Sequence, residues 1–197
     1  PTWSYDDGTL ALPAHYEMHN KHAEILRLDD TGNVIGKQSI NGDMPSLQPQ
    51  LLVDEQLTVA VMRNGVYADA GRRVLIATSK DRGRSWSQTR ETGIANPNAA
   101  VAGLQSAHGY LFVYNNQEDK RDQLSLGYAS EADGAWQELH LLEDEEDVLK
   151  HEYRFSYPWL VRHDGNYHLF YTWNRKRIKH VVFNDAWLAQ KIEALNG

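Results

Sequence analysis

The hydrophobic residues of this chain fall into short runs, and the runs come in pairs separated by a turn. In each pair, an apolar stretch of strand length leads through polar or Gly-containing residues to a second apolar stretch that ends in polar residues. The runs are rich in Val, Leu, Tyr and Phe, most of which favour strands. The pattern therefore predicts repeated antiparallel strand pairs. Three of them are QPQLLVDEQLTVAVMRN, NAAVAGLQSAHGYLFVYNN and YPWLVRHDGNYHLFYTWNR.

A second pattern repeats at a fixed interval. The segments LDDTGNVI, SKDRGRSW, SEADGAW and FNDAW end at Ile35, Trp86, Trp136 and Trp187, so the intervals are 51, 50 and 51 residues. A third apolar strand precedes the last three segments, and a short fourth strand follows Trp86 and Trp136. Four strands in about 50 residues are typical of a β-propeller blade. The strands of an ordinary β-sandwich would match this interval only by chance.

The repeat predicts an all-β chain that forms a single partial β-propeller domain over residues 1–197. We expect about four blades of four-stranded antiparallel sheet, near residues 1–42, 43–93, 94–142 and 143–187. The segment AWLAQKIEALNG predicts a short helix at 186–195, because Ala, Leu and Gln replace β-branched residues there. The first blade has at most a partial inner strand, and the last lacks a fourth strand. Unpaired strand edges predict self-association or a partner chain.

Composition and charge exclude several classes of protein. With 41% hydrophobic residues, 197 residues are enough to bury a core. The formal net charge is -7, and no basic stripe is present, which argues against nucleic acid as a partner. The absence of Cys excludes disulfides and thiolate zinc sites and leaves the compartment undecided. No apolar run is long enough to predict a membrane span, and nothing in the sequence indicates a metal or a cofactor.

The most motif-like segment, SKDRGRSW, is predicted to be a structural turn. It lies between a third and a fourth strand, where Gly83 can adopt a positive φ. Asp81 and Ser79 can hydrogen-bond the backbone of the turn, and Trp86 can pack between blades. A catalytic or metal-binding Asp81 is the less favoured interpretation, because the other copies of the segment lose motif residues while the architecture repeats.

The candidate site lies at the opposite ends of the strands. Successive strands alternate in direction, so the ends of second strands and the starts of first strands share the face away from the SKDRGRSW turn. Three arginines from successive blades, Arg63, Arg121 and Arg175, could converge there on one anion, because guanidinium groups pair with carboxylates through two parallel hydrogen bonds. Polar residues expected on the same face are Gln48, Asn64, Asn96, Asn98, Asn115, Asn116 and Asn174.

The order of several motifs resembles the BNR-repeat, or Asp-box, sialidase-like family. The motifs are LPAHYE, LQPQL, VMRN, SKDRGRSW, NPN, VYNN, FSYPWLV and YTWNRKRIKH, and they span nearly the whole chain. The resemblance implies a six-bladed propeller, of which this chain would supply about the last four blades. It also favours a secreted or periplasmic location and a glycan or acidic sugar as the ligand.

The resemblance further implies a sialidase-like glycoside hydrolase with a tyrosine nucleophile. Tyr157 in FSYPWLV matches that nucleophile, and the arginine cluster would hold the sugar carboxylate. A phenol needs a carboxylate to accept its proton, and Glu17 in LPAHYE is preferred over Glu152. The family's aspartate acid/base and one arginine would lie in earlier blades, so activity of this chain does not follow from the resemblance.

Two other functions stay open. A polysaccharide lyase could use His and Tyr beside a uronate carboxylate, with His15, His19 and His22 as candidates. A non-catalytic carbohydrate-binding propeller could stack sugars on Tyr171, Trp159 or Trp173, although strand alternation would bury several of these aromatic residues.

Overall fold

The computed structural model describes residues 2–40, 42–53, 56–66, 72–144 and 154–196. These residues form four antiparallel sheets, which we call the first to fourth blades, and one helix. The arrangement confirms the predicted all-β propeller fold, with four blades in this chain. Consecutive strands pair within each blade, so that every blade is a meander.

The first and second blades have four strands each. In the first, a two-residue strand β1 pairs only with Ala11 and Leu10 at the start of β2. The inner edge of β2 beyond Ala11 has no strand partner among the described residues. The strands are β1 (Trp3–Ser4), β2 (Leu10–Tyr16), β3 (His22–Leu28) and β4 (Val34–Ser39), then β5 (Ser46–Val53), β6 (Thr58–Asn64), β7 (Arg73–Ser79) and β8 (Arg90–Ala95).

The third blade has four strands and the fourth has three. The strands are β9 (Ala102–Ser106), β10 (Gly109–Tyr114), β11 (Gln123–Ala129) and β12 (Gln137–Asp144), then β13 (Phe155–His163), β14 (Asn166–Trp173) and β15 (Arg177–Asn184). A helix, α1 (Asp185–Asn196), takes the place of a fourth strand after β15. Asn184 caps it, because its side-chain Oδ1 accepts a hydrogen bond from the Trp187 amide at 2.9 Å.

The core lies between neighbouring blades, and strand alternation explains it. On β5, Leu51 packs with the first blade and the adjacent Leu52 packs with the third. Side chains on alternate faces of one strand thus fill two different cores, and the middle strands of the second and third blades are buried on both sides. Each fully buried Leu or Val side chain contributes about 1.5–3 kcal/mol relative to exposure. Within the described residues, no helix has the length and apolar character needed to cross a bilayer.

Candidate functional site

The SKDRGRSW turn forms a closed hydrogen-bond network on the rim opposite the candidate arginines Arg63, Arg121 and Arg175. Ser79 Oγ donates to Asp81 Oδ1 at 2.7 Å and accepts from the Gly83 amide at 2.7 Å. The Ser85 amide donates to Asp81 Oδ1 at 2.8 Å. Burial raises the pKa of Asp81, but hydrogen bonds from Ser85 and Ser79 outweigh that effect and hold the pKa below its ordinary value. The Asp81 carboxylate is thus committed to its own turn.

Strand register places the candidate residues at the opposite ends of the blades. In the second blade, Ser46 at the start of β5 pairs with Asn64 at the end of β6. Ser79, at the start of the turn network, pairs instead with Thr58 at the other end of β6. We call the end that carries Ser46 and Asn64, with its equivalents in the other blades, the site rim.

Three inner strands have a residue in the left-handed region close to their start on the site rim, either within the strand or shortly before it. The φ angles are 50° at Gln48, 55° at Asn98 and 54° at Tyr157. Strand pairing is interrupted at Gln48 and at Tyr157, which identifies β-bulges. Non-glycine residues rarely adopt this conformation, and it concentrates at functional sites. Each of these three blades thus has one left-handed residue, with a strained backbone, on the site rim.

Asn98 holds two arginines in place. Arg63 donates from Nε to Asn98 Oδ1 at 2.6 Å and from a terminal nitrogen to Gln48 Oε1 at 3.1 Å. Arg121 donates to the Asn98 backbone carbonyl and lies 3.5 Å from Ser156 Oγ. Both arginines are half-buried. We call Arg63 and Arg121 the fixed pair, because neutral groups from three blades orient their guanidinium groups.

Two more arginines lie beside the fixed pair. Arg154 and Asn174 exchange hydrogen bonds, with the Arg154 amide donating to Asn174 Oδ1 at 2.9 Å and the Asn174 amide donating to the Arg154 carbonyl at 3.0 Å. Arg175 follows directly in a tight turn where both Asn174 and Arg175 have positive φ. The Arg121 carbonyl accepts from the Phe155 amide at 2.8 Å, which brings Arg121 next to Arg154.

The clustered positive charges affect Arg121. Burial lowers the pKa of Arg121 below its ordinary value, and the charge of Arg63 lowers it further. Arg154 and Arg175 act in the same direction, while Tyr157 opposes them. Within the described ranges, none of the four guanidinium groups forms a salt bridge with a carboxylate. Among the described residues, these four arginines thus form a cluster of positive charge without a carboxylate partner, on a chain whose net charge is -7.

Of the three left-handed residues Gln48, Asn98 and Tyr157, Tyr157 is the most accessible. The residue is 57% exposed, and it directly follows Ser156, whose Oγ lies 3.5 Å from Arg121 of the fixed pair. Glu17, its predicted proton acceptor, follows β2 in the first blade, where its carboxylate lies 3.7 Å from His15 Nε2. No hydrogen bond joins Glu17 to Tyr157 in the described part of the chain. Glu152, the other candidate, lies outside the described residues.

The predicted asparagines mainly join strands. Asn115 is fully buried, and its Nδ2 donates to the carbonyls of Gln123 at 2.7 Å and Phe155 at 3.0 Å. Asn64 is also buried and donates to the Arg73 carbonyl at 3.1 Å. Asn174 is bonded to Arg154, as described above. These contacts give the three side chains a structural role, and ligand contacts of Asn115 and Asn174 stay a prediction.

The remaining candidates are dispersed. Tyr171 is buried and its hydroxyl donates a hydrogen bond to Glu143, so its ring offers no surface on which a sugar could stack. The ring of Trp173 is covered by Arg177, whose guanidinium carbon lies 4.6 Å from the ring centroid. Trp159 lies on β13 in the fourth blade and is exposed. Of the predicted histidines, His15 lies by Glu17, whereas His22 bonds the Asn20 carbonyl at 2.7 Å. Within the described residues, no contact joins His15, His19 or His22 to the arginines, and no cluster of three metal-ligating side chains occurs.

Arg154 is the site residue that the sequence reasoning missed. Its signal is its position, since it directly precedes the inner strand that carries Tyr157. It was hidden because it follows the long acidic stretch LEDEEDVLKHE.

Together the fold and the rim define a class, a β-propeller that carries several arginines and a strained tyrosine on one rim. The chain belongs to the BNR repeat-like domain family, whose model matches residues 1–169. This match confirms the resemblance seen in the sequence. A search of curated proteins found no match.

Solved structures share the fold at low sequence identity. A Hadza microbial sialidase is 16% identical with a TM-score of 0.68, over 93% of this chain and 36% of that protein. The Trypanosoma rangeli sialidase in complex with sialic acid is 16% identical with a TM-score of 0.65, over 96% of this chain and 31% of that protein. An exo-beta-1,3-galactanase from Phanerochaete chrysosporium is 11% identical with a TM-score of 0.62, over 92% of this chain and 49% of that protein. The chain thus has a sialidase-like fold and spans about a third of the length of these sialidases.

Proposed function

We propose that the site rim binds the carboxylate of an acidic sugar, and that the protein acts as a sialidase-like glycoside hydrolase on terminal sialic acid or a related acidic sugar. The observation that carries the proposal is the fixed pair. Arg63 and Arg121 are oriented by neutral hydrogen-bond partners and have no carboxylate partner among the described residues. Two guanidinium groups held in this way suit a planar carboxylate, which accepts two parallel hydrogen bonds from each.

Tyr157 would supply the nucleophile next to the bound carboxylate. Its phenol oxygen would form a bond to the anomeric carbon while the glycosidic bond breaks and its electron pair goes to the leaving oxygen. The phenol proton would pass to a carboxylate, and a separate acid would protonate the leaving group. Water would then hydrolyse the tyrosyl intermediate with retention of configuration. A solved sialidase with sialic acid among the similar structures supports the choice of sugar.

A second candidate function is binding without hydrolysis. The observation that favours it is the environment of Tyr157, since no carboxylate of the described residues accepts a hydrogen bond from its hydroxyl. A neutral phenol, with an ordinary pKa near 10, is a weak nucleophile without such a base. In this alternative, the same rim would recognise acidic glycans and Tyr157 would contact the bound sugar.

The test separates binding from hydrolysis. Turnover of a fluorogenic sialoside is measured for the protein and for Tyr157→Phe, and binding of N-acetylneuraminic acid is measured by calorimetry. The hydrolase proposal predicts turnover that Tyr157→Phe abolishes and that Arg121→Gln weakens by about tenfold or more, the cost of one charge-assisted interaction. Binding without turnover would establish the non-catalytic alternative. Lack of binding by the intact protein would exclude both functions.

A further inference from the structure

The four arginines of the site rim outnumber the needs of one carboxylate. A carboxylate has two oxygens with about four lone-pair positions in total, and a bidentate guanidinium group uses two of them. Arg63 and Arg121 together are therefore enough to fill a single carboxylate. Arg154 and Arg175 remain beside them, which we call the second pair.

The second pair differs from the fixed pair in its surroundings. Both of its side chains are exposed, and neither guanidinium group forms a hydrogen bond or ion pair within the described ranges. Backbone hydrogen bonds nevertheless fix where the chain passes, because the Arg154 amide and carbonyl both bond Asn174, the residue before Arg175. The second pair is thus held in position by the backbone while its charges face solvent.

Two carboxylates of the described third blade, those of Glu118 and Glu138, have partners other than the four arginines. Glu118 pairs with Arg73 at 2.6 Å, and Glu138 accepts from Asn116 at 2.9 Å. The turn that carries Arg175 adds the exposed Lys176. Like charges this close repel one another, and a bound polyanion would relieve that repulsion.

From this arrangement we infer that the site rim binds an acidic oligosaccharide through two neighbouring anionic sugars, one on the fixed pair and the next on the second pair. The inference rests on the proposed function for the first sugar and adds a subsite for the second. An oligosaccharide with a carboxylate on consecutive units, such as a linked pair of sialic acids, has the required chemistry. A sugar with one carboxylate would fill only the fixed pair.

The experiment compares two probes by calorimetry at one salt concentration. These are N-acetylneuraminic acid and its α2,8-linked dimer. We expect the dimer to bind about tenfold or more tightly than the monomer, the equivalent of one additional charge-assisted contact. We expect the double variant Arg154→Gln/Arg175→Gln to lose most of this advantage, because its dimer affinity falls far more than its monomer affinity.

A matched control removes a positive charge from the other rim. Lys80 is exposed in the SKDRGRSW turn, so Lys80→Gln should leave both affinities unchanged if the effect is local. The single variants Arg154→Gln and Arg175→Gln, checked by circular dichroism, separate a local loss from misfolding. Each should retain the wild-type spectrum, because both side chains are exposed.

The outcomes distinguish this inference from the proposed function. If the monomer binds and the dimer binds no better, the second subsite is refuted while the proposed function stands. If neither probe binds the intact protein, both are refuted. A dimer advantage that survives in the double variant would place the second anion elsewhere, and equal affinity for inorganic pyrophosphate would replace the sugar assignment with a general polyanion site.

Discussion

Asn98 offers the sharpest test of the fixed pair, through the substitution Asn98→Asp. Asn98 Oδ1 accepts from Arg63 Nε at 2.6 Å, and the Asn98 carbonyl accepts from Arg121. Asn98 Nδ2 donates no hydrogen bond to a described residue, so replacing the amide nitrogen with oxygen breaks no contact of this kind. Asp tolerates the left-handed conformation at φ 55° about as well as Asn. The change therefore inserts a negative charge between two guanidinium groups at constant shape.

The expected effects on stability and binding are opposite in sign. A charge-assisted hydrogen bond is worth about 1 kcal/mol more than a neutral one, so the variant should gain about 1 kcal/mol in unfolding free energy. For a chain of this size, that corresponds to a rise of about 2–4 °C in Tm. The new carboxylate would occupy the fixed pair, and the affinity for N-acetylneuraminic acid should fall by about tenfold or more.

The measurements are thermal unfolding and calorimetric binding of the wild type, Asn98→Asp and Asn98→Ala. Asn98→Ala serves as the comparison, because it removes the acceptor and places Ala in a strained conformation, which should cost about 1–3 kcal/mol. A lower Tm for Asn98→Asp than for the wild type would refute the electrostatic argument. An unchanged affinity would show that the ligand carboxylate binds away from Arg63 and Arg121.

Two further predictions concern the turns. Gly83→Ala should destabilise the protein by about 1–3 kcal/mol, because Gly83 has φ 84° and an added Cβ would lie 2.9 Å from the ring of Trp3. Gly32→Ala, at φ 88° in open space, is the control, and equal losses of Tm in the two variants would refute a steric contribution. Hydrogen bonds from Thr31 and Asn33 lower the pKa of Asp29 from 3.8 to about 2, so this group stabilises the fold above pH 4 and the contribution is lost as pH falls through about 2. The free energy of unfolding, measured with denaturant, should fall less between pH 5 and pH 2 for Asp29→Asn than for the wild type. An equal fall in both proteins would contradict the role assigned to Asp29.

The strands of the second and third blades were predictable because their middle strands are buried on both faces, which leaves a strong apolar signal in the sequence. The start of the fourth strand in the second blade was harder to predict. The sequence suggested that it follows Trp86 directly, but β8 begins at Arg90. Ser87 is still bonded to the third strand, through its amide to the Thr78 carbonyl at 2.8 Å, so the turn continues past the tryptophan.

The site was predictable only at the level of strand ends. Alternating strand direction predicted that Arg63, Arg121 and Tyr157 lie on one rim. It could not predict which asparagine side chains form hydrogen bonds with backbone groups. Asn115 is buried because the carbonyls of two other segments point at it, and no local pattern encodes those neighbours. The residue before a proline is normally extended, so the left-handed φ of Gln48 and of Tyr157, both followed by Pro, was not foreseeable from the sequence.

The left-handed starts of the inner strands suggest how a repeated fold can carry a single reactive group. At Gln48 and Asn98, the side chain is an amide whose oxygen accepts a hydrogen bond from Arg63. At Tyr157, the same backbone feature belongs to a tyrosine that is 57% exposed and directly follows Ser156, a contact of Arg121. The surrounding fold must offset the backbone strain at each of the three positions. Gln48 and Asn98 orient the guanidinium group of Arg63, whereas Tyr157 leaves its side chain accessible to a ligand. Replacing Tyr157 with Asn should therefore preserve the fold and the fixed pair, and any loss of ligand binding or turnover would be attributable to the phenol itself.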